Sequence, residues 1–312
     1  MSAPLRRPAT LLPVVLRPGA FLLTRLQRLL DRTFGAGLNP FYYLGAITFF
    51  LFWILLGTGA YLFLFYDPSP HGAYPSVERI TVDQWWYGGV IRSVHRYASD
   101  ALMLVIVLHV AQVLFSDRFR RHRWLAWFTG LLILPTVWFE GVTGYLLVWD
   151  RVAQYTARMV ALLFDAAPIN VEPLSRSLLR NDMVAPASLQ ILNYLHLAIP
   201  CLLLLLAWVH CIRVSRPLVR PPWALGVPIL LLLLAGSLVV PATSAGPMDL
   251  ATLVGEAPVD WFYLFPFPVM AASGLPPERL WLLFGVGYAA FVALPWIVRD
   301  PKPGRLSGAI PH

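Results

Sequence analysis

Four of the seven histidines form two pairs with the same internal spacing, His95 with His109 and His196 with His210. Each spacing is 14 residues, which is close to four helical turns, so both imidazoles of a pair lie on one helix face about 21 Å apart. Imidazole is a common metal ligand, and a histidine inside an apolar membrane helix is expected to be functional. Each helix therefore offers ligands at two depths. The alternative is a set of core histidines satisfied by hydrogen bonds.

The composition places these histidines in a membrane protein. Hydrophobic residues make up 58% of the chain, charged residues only 13%, and the mean hydropathy is +0.66, which excludes a soluble enzyme, a disordered chain and a disulfide-knotted secreted fold. Cys201 and Cys211 lie too far apart on one helix to bridge each other. Six segments approach or exceed the roughly 20 residues that cross a bilayer. These predicted spans A to F cover residues 41–66, 84–115, 124–148, 188–212, 222–241 and 280–298.

The net charge of +8 predicts how these spans are oriented. Basic residues concentrate in the first 40 residues, in the B–C link, after span D and at the C-terminus, while the A–B and E–F loops are acidic. The positive-inside rule then predicts cytoplasmic termini in a prokaryotic cytoplasmic (inner) membrane. The N-terminal segment is basic, and its apolar run is interrupted by Arg17, Arg25 and Arg28. This pattern favours a surface helix over a cleaved signal peptide. No nucleic-acid partner is needed to explain the charge.

Spans B and D have one span between them and therefore run parallel. His95 then faces His196 near the non-cytoplasmic side, and His109 faces His210 near the cytoplasmic side. Two facing imidazoles without a further ligand suit a six-coordinate haem iron, which transfers electrons and does not bind oxygen. Zinc is the competing interpretation, but it prefers four tetrahedral ligands and would not need the repeated spacing.

Glycines repeat the same spacing on the two spans without these histidines. Gly45 and Gly59 lie on span A, and Gly130 and Gly144 lie on span C. Missing side chains at these positions would let a flat macrocycle approach the backbone. The alternative is ordinary close packing of helices through small residues.

Three sequence motifs resemble cytochrome b of the Rieske/cytochrome b family. The first is Asn39-Pro-Phe-Tyr-Tyr-Leu-Gly45, the second is Ile91-Arg-Ser-Val-His-Arg96, and the third is Gly141-Val-Thr-Gly-Tyr145 followed by Trp149-Asp150. The resemblance covers about residues 39–300 and is closest to the photosynthetic branch. In that branch the haem-binding part and a smaller quinol-site subunit are separate chains, whereas here they look fused.

The resemblance implies two non-covalent haem b groups. The low-potential haem would be bound by His95 and His196, and the high-potential haem by His109 and His210. Arg92 matches the family's partner for a haem propionate, and Arg96 lies beside it; interfacial arginines without that role are the alternative. Tyr43 stands where the photosynthetic branch has the cysteine that attaches a further haem, so no covalent c-type haem is expected.

The resemblance also indicates a quinol-oxidation site. Asp260 and Trp261 match the acid and tryptophan of the family's Pro-Glu-Trp-Tyr motif, although Val259 replaces a proline. A carboxylate suits this reaction because quinol oxidation releases protons. An aromatic belt at the membrane interface is the alternative. Asp100 and Glu140 place two more carboxylates inside spans B and C, where a proton path, a cationic partner or snorkelling would each account for them.

We therefore expect an all-α integral membrane protein, with a four-helix haem-binding bundle (A–D) plus two further transmembrane helices (E, F). The expected divisions are a basic N-terminal segment (1–40), the dihaem bundle (41–215), a two-helix quinol-site region (216–300) and a cytoplasmic tail (301–312). The predicted function is that of a quinol-oxidising cytochrome b subunit, inactive alone.

Its expected partners are a Rieske iron–sulfur protein, a c-type cytochrome or other acceptor subunit, quinone, membrane lipid and a second copy in a homodimer. The alternative is a dihaem membrane anchor that connects a peripheral dehydrogenase or reductase to the quinone pool.

Overall fold

The computed structural model describes residues 16–167, 186–212, 214, 217–249, 251–252 and 260–298. Within these ranges the regular structure is helical, apart from one isolated bridge between Asp150 and Pro247, which confirms the all-α prediction. The α-helices are α1 (Arg17–Phe34), α2 (Leu44–Phe65), α3 (Ala73–Glu78), α4 (Val90–Phe115), α5 (Trp124–Val148), α6 (Arg151–Asp165), α7 (Pro186–Ile212), α8 (Trp223–Val239), α9 (Pro266–Ser273), α10 (Pro277–Val292) and α11 (Leu294–Ile297).

Four helical segments are long and apolar enough to cross a bilayer. They are Leu44–Phe65, Trp85–Phe115, Trp124–Val148 and Ser188–Ile212, and they agree with predicted spans A to D within three residues at each end. The protein is therefore a multi-pass membrane protein. Spans E and F correspond to α8 and α10, which have 17 and 16 residues; both are helices, and their crossing of the bilayer stays a prediction.

The four long helices associate as two close pairs, α2 with α4 and α5 with α7. Apolar residues from these helices form a common core that includes Leu51, Leu102, Val142 and Leu203. Their opposite faces expose large apolar side chains such as Trp53. Helices that are apolar on all sides fit a lipid environment, because the outer faces then need no polar cover. Helix α8 packs against α4 and brings the C-terminal part of the chain to this bundle.

Helix α1 confirms the helix predicted in the basic N-terminal segment. It exposes Phe21, Leu22 and Leu29, as expected for a helix that lies on a membrane surface. The side chain of Asn39 donates hydrogen bonds to Asp31 Oδ1 (2.8 Å) and to the Gln27 carbonyl (3.1 Å), which fixes α1 relative to the start of α2.

Helix α6 lies where the sequence predicts only a loop between spans C and D. Asp150 caps this helix by accepting a hydrogen bond from the Ala153 amide (2.8 Å). The other carboxylate oxygen accepts from the Ala245 amide (2.9 Å), and the Arg151 amide donates to the Gly246 carbonyl (3.0 Å). The cap therefore also attaches the segment after α8 to the end of α5. Residues 253–259, which include Val259 of the predicted quinol-site motif, and the predicted tail at 301–312 lie outside the described residues.

Candidate functional site

Between α2 and α4, each predicted histidine ligand lies against a predicted glycine. A Cβ atom added to Gly59 would lie 3.2 Å from Cε1 of His95, and one added to Gly45 would lie 3.5 Å from Cε1 of His109. The first distance is tighter than most Cβ contacts, so a side chain at Gly59 would displace the imidazole. Each ring therefore approaches the α2 backbone at a point where glycine leaves room for it.

The arrangement is repeated between α5 and α7. A Cβ added to Gly144 would lie 3.3 Å from Cε1 of His196, and one added to Gly130 would lie 3.2 Å from Cε1 of His210. The structure thus brings all four predicted glycines next to the four predicted histidines, one to one. The group that meets each glycine is the imidazole of the neighbouring helix, whereas the sequence argument assigned this space to the macrocycle.

Across the bundle, the two histidines of α4 lie near those of α7. His196 is within electrostatic range of His95, and His109 is within range of His210. The two levels follow from the parallel course of α4 and α7. Within the described ranges, no three His, Cys, Asp or Glu side chains cluster closely enough to hold a metal ion. The zinc alternative therefore has no four-ligand site in this part of the chain.

Threonine hydroxyls contact both imidazoles at the level of His95 and His196. Thr58 Oγ1 lies 2.9 Å from Nδ1 of His95 and donates its own proton to the Ile54 carbonyl at 2.7 Å. Thr143 Oγ1 lies 2.9 Å from Nδ1 of His196 and donates to the backbone carbonyl of Glu140 at 2.7 Å. Because each hydroxyl donates to a carbonyl of its own helix, we assign the imidazole as the donor and place the hydrogen on Nδ1.

Among the described residues, the level of His109 and His210 has one such contact. Thr129 Oγ1 lies 3.2 Å from Nδ1 of His210 and donates to the Leu125 carbonyl at 2.8 Å. Nδ1 of His109 is buried, and no hydrogen-bond partner for it is found among the described residues. These threonines are not among the site residues predicted from the sequence. Their signal is a Thr-Gly dipeptide at three of the four glycines, with Leu44 preceding the fourth.

These features fit a haem at each level. A hydrogen bond from Nδ1 leaves the Nε2 lone pair of a neutral imidazole free to bind iron. His95 and His196 would hold one haem, and His109 and His210 the other. The glycines let the rings sit deep between the helices, where a buried histidine without a metal or a partner would be costly.

Arg92, the predicted propionate partner, is buried among polar groups from two loops. Its guanidinium donates to Thr81 Oγ1 and to Ser244 Oγ (2.9 Å), and Ser244 in turn donates to Glu78 Oε1 (2.6 Å). The structure thus places Arg92 in the first turn of α4, one turn before His95. Its role toward a propionate stays a prediction.

Arg96 lies in a cluster with Asp260. This contact is not among those predicted from the sequence. One guanidinium nitrogen forms an ion pair with Asp260 Oδ2 (2.6 Å), and the other pairs with Asp100. The Tyr145 hydroxyl also donates to Asp260, and the Arg96 guanidinium lies 4.7 Å from the centroid of the Tyr145 ring. Asp260 is only 5% exposed, so this cluster, which we call the Asp260 cluster (Arg96, Asp100, Tyr145 and Asp260), holds a buried carboxylate.

The loop that contains Asp260 also packs against the bundle through a residue next to the cluster. Tyr263 is buried, and its hydroxyl donates to the Ser99 carbonyl (2.7 Å). Burial raises the pKa of the Tyr263 hydroxyl, so this group acts as a neutral donor. Trp261, predicted as a site residue beside Asp260, is 78% exposed and does not enter the cluster. Of the two predicted site residues in this loop, the structure therefore brings only Asp260 to the bundle.

The remaining carboxylate in span C lies beside a predicted ligand. Glu140 Oε1 is 3.1 Å from Nδ1 of His196, while Oε2 is buried without a partner among the described residues. Glu140 thus neighbours His196, and Asp100 pairs with Arg96. Both carboxylates have a neighbouring polar group inside the protein, so snorkelling to an interface is not needed to explain either one.

A helical membrane bundle with paired histidines at two depths defines a membrane cytochrome of b type. The sequence family cytochrome b/b6/petB matches residues 29–217, and this chain belongs to that family. The match includes all four histidines, all four glycines and both arginines of the predicted site. It ends before α8 and therefore does not include Asp260.

Individual relatives agree with this assignment. The chain is 33% identical to cytochrome b6 of Tupiella akineta over 186 residues, which are 59% of this chain and 86% of that protein. It is also 33% identical to cytochrome b6 of Synechococcus sp. (strain CC9605) over 185 residues, which are 59% of this chain and 84% of that protein.

The fold is also similar to a chain of a solved structure described as a hyperthermophilic respiratory Complex III. The TM-score is 0.66 at 20% identity, and the similarity covers 84% of this chain and 76% of that chain. This structural similarity extends further along the chain than the matches to the cytochrome b6 sequences.

Proposed function

We propose that the chain binds two non-covalent b-type haems and oxidises quinol at the non-cytoplasmic side of a prokaryotic cytoplasmic membrane. The dihaem bundle at 41–215 would be fused to a quinol-site region at 216–300. The observation on which the quinol assignment rests is the position of Asp260. Its partner Arg96 directly follows His95, and its partner Tyr145 directly follows Gly144. The carboxylate is therefore held at the level of the His95 and His196 pair.

Oxidation of a quinol to a quinone releases two electrons and two protons. When bound, the haems supply one-electron transfer between the two sides of the membrane. Asp260 accepts the proton of one quinol hydroxyl, and the proton of the second hydroxyl passes to water at the non-cytoplasmic surface. Arg96 pairs with two carboxylates at once, so one of them can become protonated while the guanidinium keeps the other as its ionic partner. Tyr145 holds the Asp260 carboxylate in position through its hydroxyl hydrogen bond.

The chain needs partners for this activity. The two cysteines are isolated, and a c-type haem motif is absent from the sequence, so a Rieske iron–sulfur protein and a c-type cytochrome or another acceptor would take the electron that does not enter this chain. The family match and the similarity to a Complex III chain support this arrangement. We also propose a homodimer, for which the mass of the detergent-solubilised complex should correspond to two copies.

Asp260→Asn tests the quinol assignment. Asparagine can accept the hydrogen bonds from Arg96 and Tyr145, but it cannot take up a proton at its amide. We expect normal haem spectra and at least about a tenfold slower reduction of the non-cytoplasmic haem by quinol, because general-base contributions are typically about 10²–10⁴-fold. Stopped-flow absorbance of the purified complex measures this rate.

Asp83→Asn is the matched control, since Asp83 is exposed at the end of a short helical segment before α4 and should leave the rate unchanged. Equal rates for wild type, Asp260→Asn and Asp83→Asn would contradict quinol oxidation at this site. The dihaem anchor would then be the better account, with the ion pair between Arg96 and Asp260 serving only to dock the loop.

A further inference from the structure

We propose that Thr58, Thr129 and Thr143 are positioning residues that tune the haem iron through the histidines, and that Leu44 makes the two haem levels unequal. This proposal rests on the two-haem part of the proposed function. It concerns the hydrogen bonds at Nδ1, on the side of each imidazole that faces away from the iron.

The three threonines share one geometry. Each lies directly before a glycine, donates its hydroxyl proton to its own helix and presents the oxygen to Nδ1 of the histidine that packs on that glycine. The oxygen-to-Nδ1 distances are 2.9 Å for Thr58, 2.9 Å for Thr143 and 3.2 Å for Thr129. The glycine leaves room for the imidazole ring, and the threonine fixes its tautomer. Each Thr-Gly dipeptide therefore accommodates and orients one histidine ligand.

The fourth glycine, Gly45, differs from the other three in the residue that precedes it. Leu44 precedes Gly45, and a leucine side chain cannot accept a hydrogen bond. Nδ1 of His109 is accordingly buried without a partner among the described residues. The cytoplasmic level therefore has one hydrogen-bonded ligand, His210. The non-cytoplasmic level has two, and His196 gains Glu140 Oε1 at 3.1 Å as a further neighbour of Nδ1.

A hydrogen bond at Nδ1 makes the imidazole more basic, which favours ferric over ferrous iron. Two such bonds at the His95 and His196 level should give its haem the lower midpoint potential. Only one bond at the other level leaves the haem there with the higher potential. The contacts therefore predict the same order of potentials as the family resemblance, with the lower potential at His95 and His196.

Isosteric replacement of threonine by valine tests the proposal, with optical redox titration of the purified haem-loaded protein as the measurement. Loss of such a partner typically changes metal affinity about 10–100-fold. We expect Thr58→Val and Thr143→Val to raise the lower potential by about 59 mV, which corresponds to a tenfold change in the ferric-to-ferrous preference. Thr129→Val should raise the higher potential instead.

Two further variants separate the proposal from a general packing effect. Thr58→Ser keeps the hydroxyl and should restore the wild-type potential. Leu44→Thr adds the missing acceptor and should lower the higher potential. Thr48→Val in α2 and Thr136→Val in α5 are matched controls, because these hydroxyls donate to carbonyls of their own helices at 3.0 Å and 2.8 Å; neither should shift a potential.

The possible outcomes distinguish a failure of this proposal from a failure of the two-haem proposal on which it rests. A wild-type protein that lacks two haems would overturn the proposed function and this inference together. Two haems in every variant, with potentials that match those of the Thr48→Val control, would overturn the threonine assignment alone. If Thr58→Val fails to fold, Leu44→Thr decides the question, and an unchanged higher potential there would contradict the proposal.

Discussion

The bundle and the C-terminal region build their sites in different ways. In the bundle, His95 and His109 lie on one helix, and a single spacing fixes their separation. The Asp260 cluster instead joins Asp260 to Arg96 and Tyr145, which are 164 and 115 residues away in the sequence. The bundle site is therefore set by helix geometry, whereas the second site exists only after a distant loop docks on the bundle.

This difference predicts that the two sites can be damaged separately. Changes to a histidine should remove a haem and leave the loop in place. Changes to the loop should slow the chemistry at Asp260 and leave both haems. The following substitutions test that separation, beginning with the largest expected effect.

His109→Leu should remove the haem that we propose for His109 and His210 and keep the other one. Leucine cannot bind iron, and His210 alone does not provide both axial ligands. The pyridine haemochrome assay should fall from two haems per chain to one. His122→Leu is the control, because His122 is exposed in the link before α5 and should leave both haems bound. Loss of both haems from a folded His109→Leu protein, or of neither, would refute the pairing by depth.

Two glycines on α5 offer a direct comparison of the sites. A Cβ at Gly144 meets His196 at 3.3 Å, whereas a Cβ at Gly141 would overlap the Tyr263 ring in the docked loop. Gly144→Ala should thus weaken haem retention by severalfold. Gly141→Ala should leave the haem spectra unchanged and slow haem reduction by quinol, because the loop that holds Asp260 is displaced.

Gly57→Ala is the control for both glycine variants, since nothing lies within 4 Å of a Cβ at this position in α2. Haem content and reduction rate should match the wild type there. If Gly141→Ala and Gly144→Ala produce the same defect, the two sites are not separable and the comparison fails.

The bundle could be predicted from sequence because helical periodicity relates residues on the same helix. The ends of spans A to D, the four histidines and the matching glycines follow from that period. The threonines could not be predicted in this way, because no sequence periodicity links a hydroxyl beside a glycine to a particular histidine. The structure shows which imidazole each hydroxyl contacts. Helix α6 was missed because its amphipathic pattern lies in a connection that also contains polar residues.

The C-terminal site was less predictable, and Arg96 shows why. Its place beside Arg92 indicated a propionate partner, but the position of Asp260 depends on how the loop folds back on α4. Trp261 shows the same limit, since it follows Asp260 in sequence while its side chain points away from the cluster. No periodic pattern connects two residues 164 positions apart, so contacts of this kind are settled by tertiary packing.

The central claim is that one chain holds two bis-histidine haems at two depths, and a potentiometric titration of the purified wild-type protein tests it most directly. We expect two b-type haems per chain by haemochrome assay and two one-electron waves of equal amplitude. The lower-potential wave should persist alone in His109→Leu, and low-spin spectra should hold in both oxidation states. A single haem per chain, or two haems that both disappear when His109 is replaced in a folded protein, would contradict the account.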